Sequence, residues 1–218
     1  MIRAVVFDIG ETLVRDDRYW ASWADWLGVS RHTLSALVGA VTAMGLDNAE
    51  AVRLLRPGVD LNAERRAREE AGRGEFLDES DLYPDVRPGL RALREAGFRV
   101  CVAGNQTARA GDFVRGFDLP ADAIAVSEEW GVAKPNPEFF RRVVELGGAA
   151  PEETVYVGDH PVNDIIPARA TGLRTCLIRR GPWGNLWGND SAVLRSVDWR
   201  IDSILELPSL LHGSSEWS

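Results

Sequence analysis

Apolar residues in this chain fall into short unbroken runs, separated by longer stretches where they recur every three or four positions. The runs are "IRAVVFD" (2–8), "FRVCVAGN" (98–105), "AIAVSEE" (123–129), "TVYVGDH" (154–160) and "RTCLIRR" (174–180). They lack the in–out alternation of a half-exposed sheet, so they read as strands covered on both faces, as in a parallel sheet. The stretches between them carry helix punctuation. "RPGLRALREAGF" sets Pro88 near a helix start and Gly97 just past its end, and "NPEFFRRVVELGG" uses Pro137 and Gly147 in the same way. "NDIIPARATGL" starts behind Asn163, read as a helix cap, and stops at Gly172. This alternation predicts an α/β protein built on a doubly wound parallel sheet.

Residues 15–84 break the rhythm. They hold no strand-like run but several helical stretches, among them "RYWASWADWLG" and "SRHTLSALVGAVTAMG". They read as a helical insert between the first strand and the rest of the sheet, leaving 1–14 and 85–218 as the core. Trp20, Trp23 and Trp26 fall at three-residue steps; core packing of the insert is the plain reading, and an aromatic wall facing a substrate is the alternative. The stretch from Trp187 to Leu211 returns to a mixed pattern and is expected to close the sheet edge, with 212–218, "HGSSEWS", as a flexible tail.

Composition narrows the function classes. With 25 basic against 33 acidic residues the formal charge is −8, so the basic footprint of a nucleic-acid binder is absent, as is the basic face that binds anionic membranes. No apolar stretch approaches the roughly 20 residues of a membrane span. The chain enters its first strand at once, without a signal-peptide layout, and a cytoplasmic protein is expected. Cys101 and Cys176 lie inside apolar runs and read as reduced core thiols. Lys134 is the only lysine among the 25 basic residues.

Ligands of open parallel sheets bind beyond the carboxyl ends of the strands. There the first run delivers Asp8, the second Gly104, Asn105 and Gln106, and the fourth Asp159 with Asp164 five residues on. "GVAKPNP", with Lys134, follows the third run. Each alone is an ordinary turn residue. Together they gather three carboxylates, an ammonium and an amide on one edge. Acids so placed need a cation between them, and Mg²⁺ takes one or two carboxylates together with phosphate oxygens. The set describes a site for a metal and a phosphate dianion, with one carboxylate free to act as nucleophile.

The ordered segments "FDIGETL", "VAGNQT", "VAKPNPEFF" and "VGDHPVNDI" resemble the motifs of the haloacid dehalogenase-like (HAD) hydrolases, and the resemblance runs over the whole chain. It implies a Rossmann-like core with residues 15–84 as an inserted α-helical cap, and hydrolysis of a small phosphorylated metabolite. By position, Asp8 corresponds to the nucleophile that forms an aspartyl-phosphate. Asp8, the Gly10 carbonyl, Asp159 and Asp164 correspond to the Mg²⁺ environment. Lys134 corresponds to the charge clamp on nucleophile and phosphoryl group. Thr12 closes the first motif and braces its loop, and Thr12, Gly104, Asn105 and Lys134 correspond to the phosphate-binding positions.

Two positions depart from the family pattern. Its phosphatases carry a second aspartate two residues after the nucleophile, to protonate the leaving group and activate water; here Gly10 stands there. The hydroxyl expected in the second motif is replaced by Gly104. Acid–base help typically supplies about 10²–10⁴-fold, so reduced activity is the expectation, with acyl and aryl phosphates, whose leaving groups need no proton, affected least. Glu11 and His160 are the nearby candidates to substitute for the acid, with Asp16 and Asp17 also close in sequence. A member without catalysis, binding a phosphorylated ligand or a protein partner, is the competing reading. Schiff-base chemistry is excluded because the insert contains no lysine. Metal-free dehalogenation fits Gly10 but not the acids kept in "GDHPVND".

Overall fold

The computed structural model describes residues 1–213. Six strands form one fully parallel sheet: β1 (Ala4–Phe7), β2 (Arg99–Gly104), β3 (Ala123–Val126), β4 (Thr154–Gly158), β5 (Arg174–Ile178) and β6 (Trp199–Ile201). Their spatial order is β3-β2-β1-β4-β5-β6. The chain therefore steps outward from β1 through β2 and β3, then returns to the other side of β1 at β4. Where the winding reverses, the carboxyl ends of β1 and β4 open a crevice, the usual ligand position in such sheets. The register sets Phe7 beside Val102 and Val157, so Asp8 and Gly158 leave the sheet at nearly the same level.

Both sheet faces are covered, as the unbroken apolar runs require. On one face Val6, Cys101, Ala103 and Tyr156 pack with Phe139, Phe140 and Val143 of the helix Pro137–Gly147 and with Ala168 and Leu173. Edge-to-face contacts run from Trp130 through Phe139 and Phe140 to Tyr156, with centroids 5.1–5.4 Å apart. Val5, Phe7, Val100 and Val102 alternate to the other face and are equally buried. The helix Val86–Glu95 buries Leu90 and Leu93 and packs against β2. Cys101 and Cys176 are buried free thiols.

The chain divides into two compact units, Asp16–Asp81 and the remainder, Met1–Arg15 with the chain from Leu82 onward. Unit Asp16–Asp81 contains α1 (Asp17–Leu27), α2 (Arg31–Ala43), α3 (Glu50–Leu55) and α4 (Leu61–Glu70) and no strand. Its centre is Trp23, 1 % exposed, packed with Leu34, Val38, Val41, Val52 and Leu61. Steps of three residues fall short of a full helical turn, so Trp20 and Trp26 swing to either side of Trp23 and stay partly buried against the same cluster. Trp26 turns its indole N–H to Glu64 Oε2 at 2.6 Å.

Local departures from the sequence reading have clear causes. The third run is strand only over Ala123–Val126; "SEEW" turns helical from Ser127 to Trp130 and stops at Gly131, which takes φ +66°. The helix after Pro137 runs through Gly147, and Gly148 at φ +63° ends it. His212 and Gly213 close the last helix, Leu207–Gly213; the rest of the expected tail, 214–218, lies outside the described residues. No described helix is long and apolar enough to cross a membrane.

Candidate active site

β1 hands over directly to Asp8, whose N–H still donates to the Val157 carbonyl at 2.9 Å and so holds the residue at the sheet end. β4 ends at Gly158 and delivers Asp159. A π-helical turn, Pro161–Ile165, then folds Asp164 back beside it. Pro161 has no N–H, so the first free donors of the turn are on Val162 and Asn163. His160 Nδ1 accepts both, at 3.2 Å each. The cap is therefore His160; Asn163, read from sequence as the cap, lies inside the turn as one of the donors. Asp164 Oδ2 closes the loop by accepting the His160 N–H at 2.9 Å.

Lys134 arrives from the segment between β3 and the Pro137 helix. Asn105 sets its place: its amide donates to the Lys134 carbonyl at 3.0 Å while its oxygen accepts the Lys134 N–H at 2.8 Å. The ammonium then donates to Asp8 Oδ1 at 2.6 Å and to Asp164 Oδ1 at 2.7 Å. The rings of Tyr156 and Phe139 lie 5.6 and 5.9 Å from it. Tyr156 is fixed by donating its hydroxyl to the Ala103 carbonyl at 2.8 Å.

Asp8, Asp159 and Asp164 are all buried, and each offers an oxygen within 4.8 Å of the others. Among these four groups one positive charge faces three negative ones. Burial, with the Asp164 charge added, pushes the Asp8 carboxyl up to about 6 although Lys134 pulls the other way. Burial and then the Asp164 and Asp8 charges raise Asp159 well above the carboxylate range. Lys134 is disfavoured by burial, yet the Asp164 and Asp8 carboxylates outweigh this and keep it firmly protonated. Such a cluster, short of positive charge, can hold a metal ion.

Two glycines make the geometry possible. A Cβ on Gly104 would stand 2.7 Å from Asp8 Oδ1, so the end of β2 approaches the carboxylate more closely than a side chain there allows. A Cβ on Gly158 would stand 2.3 Å from Asp164 Oδ2. The loop after Asp8 folds on itself through Leu13 and Val14 N–H groups donating to the Ile9 carbonyl, both at 2.9 Å. Its left-handed residue is Glu11, at φ +50°, while Gly10 keeps an ordinary φ.

The candidate replacement acids are otherwise engaged. Glu11 Oε2 accepts the Tyr83 hydroxyl at 2.5 Å. Burial and the Glu11 charge hold that hydroxyl far above its ordinary range, so it remains a donor. His160 stacks on Trp183 with centroids 3.8 Å apart, its Nδ1 taken by the turn. Thr12 is buried with its Oγ1 unpartnered, and its carbonyl accepts from Arg180 Nη1 at 2.6 Å. Arg180, Tyr83 and Asp85 were not legible as site neighbours. Arg180 is one of two consecutive arginines after β5, and nothing in the sequence separates it from Arg179, which pairs with Asp202 on the surface.

Known proteins share parts of this sequence and its fold. The chain is 39 % identical over 129 residues to a glyceraldehyde 3-phosphate phosphatase of Methanopyrus kandleri, covering 57 % of this chain and 54 % of that protein. It is 30 % identical over 185 residues to a phosphoserine phosphatase of Thermus thermophilus, covering 78 % and 72 %. The match thus spans about half the length of the first of these relatives. A HAD phosphatase structure from Thermococcus onnurineus shares the fold with a TM-score of 0.62 at 22 % identity, over 97 % of this chain and 99 % of that one. The sequence model of the haloacid dehalogenase-like hydrolases matches residues 2–172. With that match over most of its length, the chain belongs to the haloacid dehalogenase-like hydrolase family.

Proposed function

We propose that this protein is a Mg²⁺-dependent phosphatase that hydrolyses a small phosphorylated metabolite through an aspartyl-phosphate on Asp8. The observation that carries the reading is the pair of hydrogen bonds from Lys134 to Asp8 and Asp164 inside a buried trio of acids. One Asp8 oxygen attacks phosphorus and the bond to the leaving oxygen breaks. Water then attacks the same phosphorus, the bond to Asp8 breaks, and phosphate departs with the carboxylate restored. Asp8, the Gly10 carbonyl, Asp159 and Asp164 would hold the ion, which when bound neutralises the surplus carboxylate charge and polarises the phosphoryl group. Lys134 holds the phosphoryl charge by electrostatics, while backbone N–H groups around Gly104 and Asn105, with Thr12, complete the phosphate contacts. Residues 15–84 serve as the helical cap, and the names of the relatives, phosphatases of a triose phosphate and of phosphoserine, support a substrate of that size. The acidic chain and its free buried thiols support work in the cytoplasm without nucleic acid.

Because Gly10 supplies no acid, turnover is expected to depend steeply on the leaving group, with acyl and aryl phosphates ahead of alkyl phosphates. The test is phosphate release from a metabolite panel with and without Mg²⁺. Release should require Mg²⁺ and vanish in Asp8→Asn; an Asp8→Asn variant as fast as the parent would rule out the covalent route. The second reading, a binder without turnover, rests on the glycines at positions 10 and 104. A phosphorylated ligand that stabilises the fold yet survives prolonged incubation with Mg²⁺ would favour it.

A further inference from the structure

The loop that follows Asp8 closes on its own backbone at the Ile9 carbonyl, but its Thr12 carbonyl and its Glu11 side chain are held by other segments. It contains a left-handed non-glycine residue, Glu11, and a buried hydroxyl, Thr12 Oγ1, without a partner. Conformations of this kind persist when surrounding groups over-determine them. The surrounding groups come from after β5 and from the segment just before the helix Val86–Glu95. Arg180, only 7 % exposed, follows β5 and donates Nη1 to the carbonyl of Thr12. Its Nη2 grips both oxygens of Asp85, and Asp85 is itself aimed by the Ser203 hydroxyl at 2.6 Å and the Ile204 N–H at 2.9 Å. The guanidinium carbon lies 4.2 Å from the centroid of the Tyr83 ring, and the hydroxyl of that ring donates to Glu11. Next in sequence, Gly181 presses so closely that a Cβ there would meet Glu11 Cβ and Cγ at 2.7 Å.

We infer that Arg180 is a positioning residue for catalysis: through the Thr12 carbonyl, and through Tyr83 to Glu11, it fixes the loop that begins at Asp8 and carries the Gly10 carbonyl. This rests on the reading of Asp8 and Gly10 given above. A planar guanidinium serves two partners in one rigid fork, which an ammonium cannot do. Two contacts of Arg180, on the Thr12 carbonyl and on the Tyr83 ring that reaches Glu11, lead to the loop, while Asp85 anchors the arginine to Ser203 and Ile204.

The test uses the full chain with Arg180→Lys and, as a milder probe that keeps the hydrogen bond from Ser203, Asp85→Asn. Hydrogen–deuterium exchange without metal reads the amides of residues 11–14 against those of β1 and β4. In Arg180→Lys the loop amides should exchange about tenfold faster or more while the strand amides stay at the parental rate. In the same variant kcat for Mg²⁺-dependent phosphate release should fall about tenfold or more with KM changed far less, the signature of lost transition-state alignment. Asp85→Asn should move both readouts in the same direction by less, and it carries the test if Arg180→Lys does not fold. Parental loop exchange in a folded variant, or faster exchange spread evenly over the strands, would overturn the inference. A parent chain that releases no phosphate would instead defeat the proposed function, and the exchange measurement would still decide whether Arg180 holds the loop.

Discussion

A carboxylate taken out of water must find a cation or keep its proton, and in this site both outcomes compete at Asp8. Its carboxyl ordinarily titrates at 3.8 and here is raised to about 6 by burial. Between those values the folded, metal-free protein holds more protons than the unfolded chain. Its stability therefore falls as pH rises through the window from about 4 to about 6, by on the order of 1–3 kcal/mol. Asp159, raised in the same sense, extends the loss upward. A divalent ion replaces the protons, so the rise in Tm on adding Mg²⁺ should be small near pH 5 and several degrees larger near pH 8. Thermal unfolding at matched ionic strength checks this, and a pH-independent Mg²⁺ effect would contradict it. Gly10 offers a second test at this scale. Its ordinary φ accepts a side chain, and Gly10→Asp should raise kcat/KM for an alkyl phosphate by about 10²–10⁴-fold while moving an aryl phosphate much less. Equal gains on both would mean that the leaving group is not where the missing acid is felt. Asp8 and Asp159 are candidates from the sequence because charge at the end of an apolar strand is conspicuous, Asp164 because it follows Asp159 by five residues, and Lys134 because it is the only lysine. Asn105 could be read as polar at the right place, but its bidentate hold on the Lys134 backbone depends on a segment 29 residues away. Long-range pairings of that kind leave no periodic trace in a sequence.

Elements were legible wherever packing on both sides imposed a long apolar run, and less so where a turn is made by side chains. The five runs read as strands appear as β1 to β5, and the mixed stretch after them supplies β6 at the edge. The sequence reading starts an ordinary helix behind Asn163, whereas the structure places a π-helical turn at Pro161–Ile165. Its π-helical form follows from His160 and Asp164 bonding across it, which no hydrophobic spacing encodes. That turn is what brings Asp164 within reach of Lys134, and it depends on the bare backbone of Gly158. Gly158→Ala would force the β4 end and the turn apart. Overpacking of this kind costs about 1–3 kcal/mol, which for a chain of this size lowers Tm by roughly 2–12 °C. Mg²⁺-dependent phosphate release should fall further than the stability loss explains, because Asp164 loses its place. A Gly158→Ala variant with parental Tm and turnover would mean that the turn relaxes freely and is not what holds the acid.

At the scale of the molecule, the sheet-bearing unit is interrupted by a second compact unit, and the strand that begins the fold is separated in sequence from its neighbours. The interruption costs the sheet little because the chain leaves and re-enters at one spot. Val14 forms an antiparallel bridge with Leu82, and the Tyr83 N–H donates to the Leu13 carbonyl at 3.0 Å. Paired residues of this kind lie about 4.5–5.5 Å apart, a gap that a few flexible residues can span. The unit formed by Met1–Arg15 and the chain from Leu82 onward has its own core around Val6, Tyr156, Phe139 and Phe140, and it contains all three acids and Lys134. Loop-closure entropy grows only slowly with length, so exchanging residues 16–81 for a short Gly/Ser linker should not weaken the sheet. The shortened chain, about 150 residues and thus of ordinary domain size, should unfold in one cooperative transition. It should also keep the Mg²⁺-dependent gain in Tm, since every acid that would hold the ion remains. Calorimetry with and without Mg²⁺ decides the matter. A broad, non-cooperative transition would show that residues 16–81 are needed for the sheet to fold. A cooperative transition that no longer responds to Mg²⁺ would show that the acids are arranged by more than the strands that carry them.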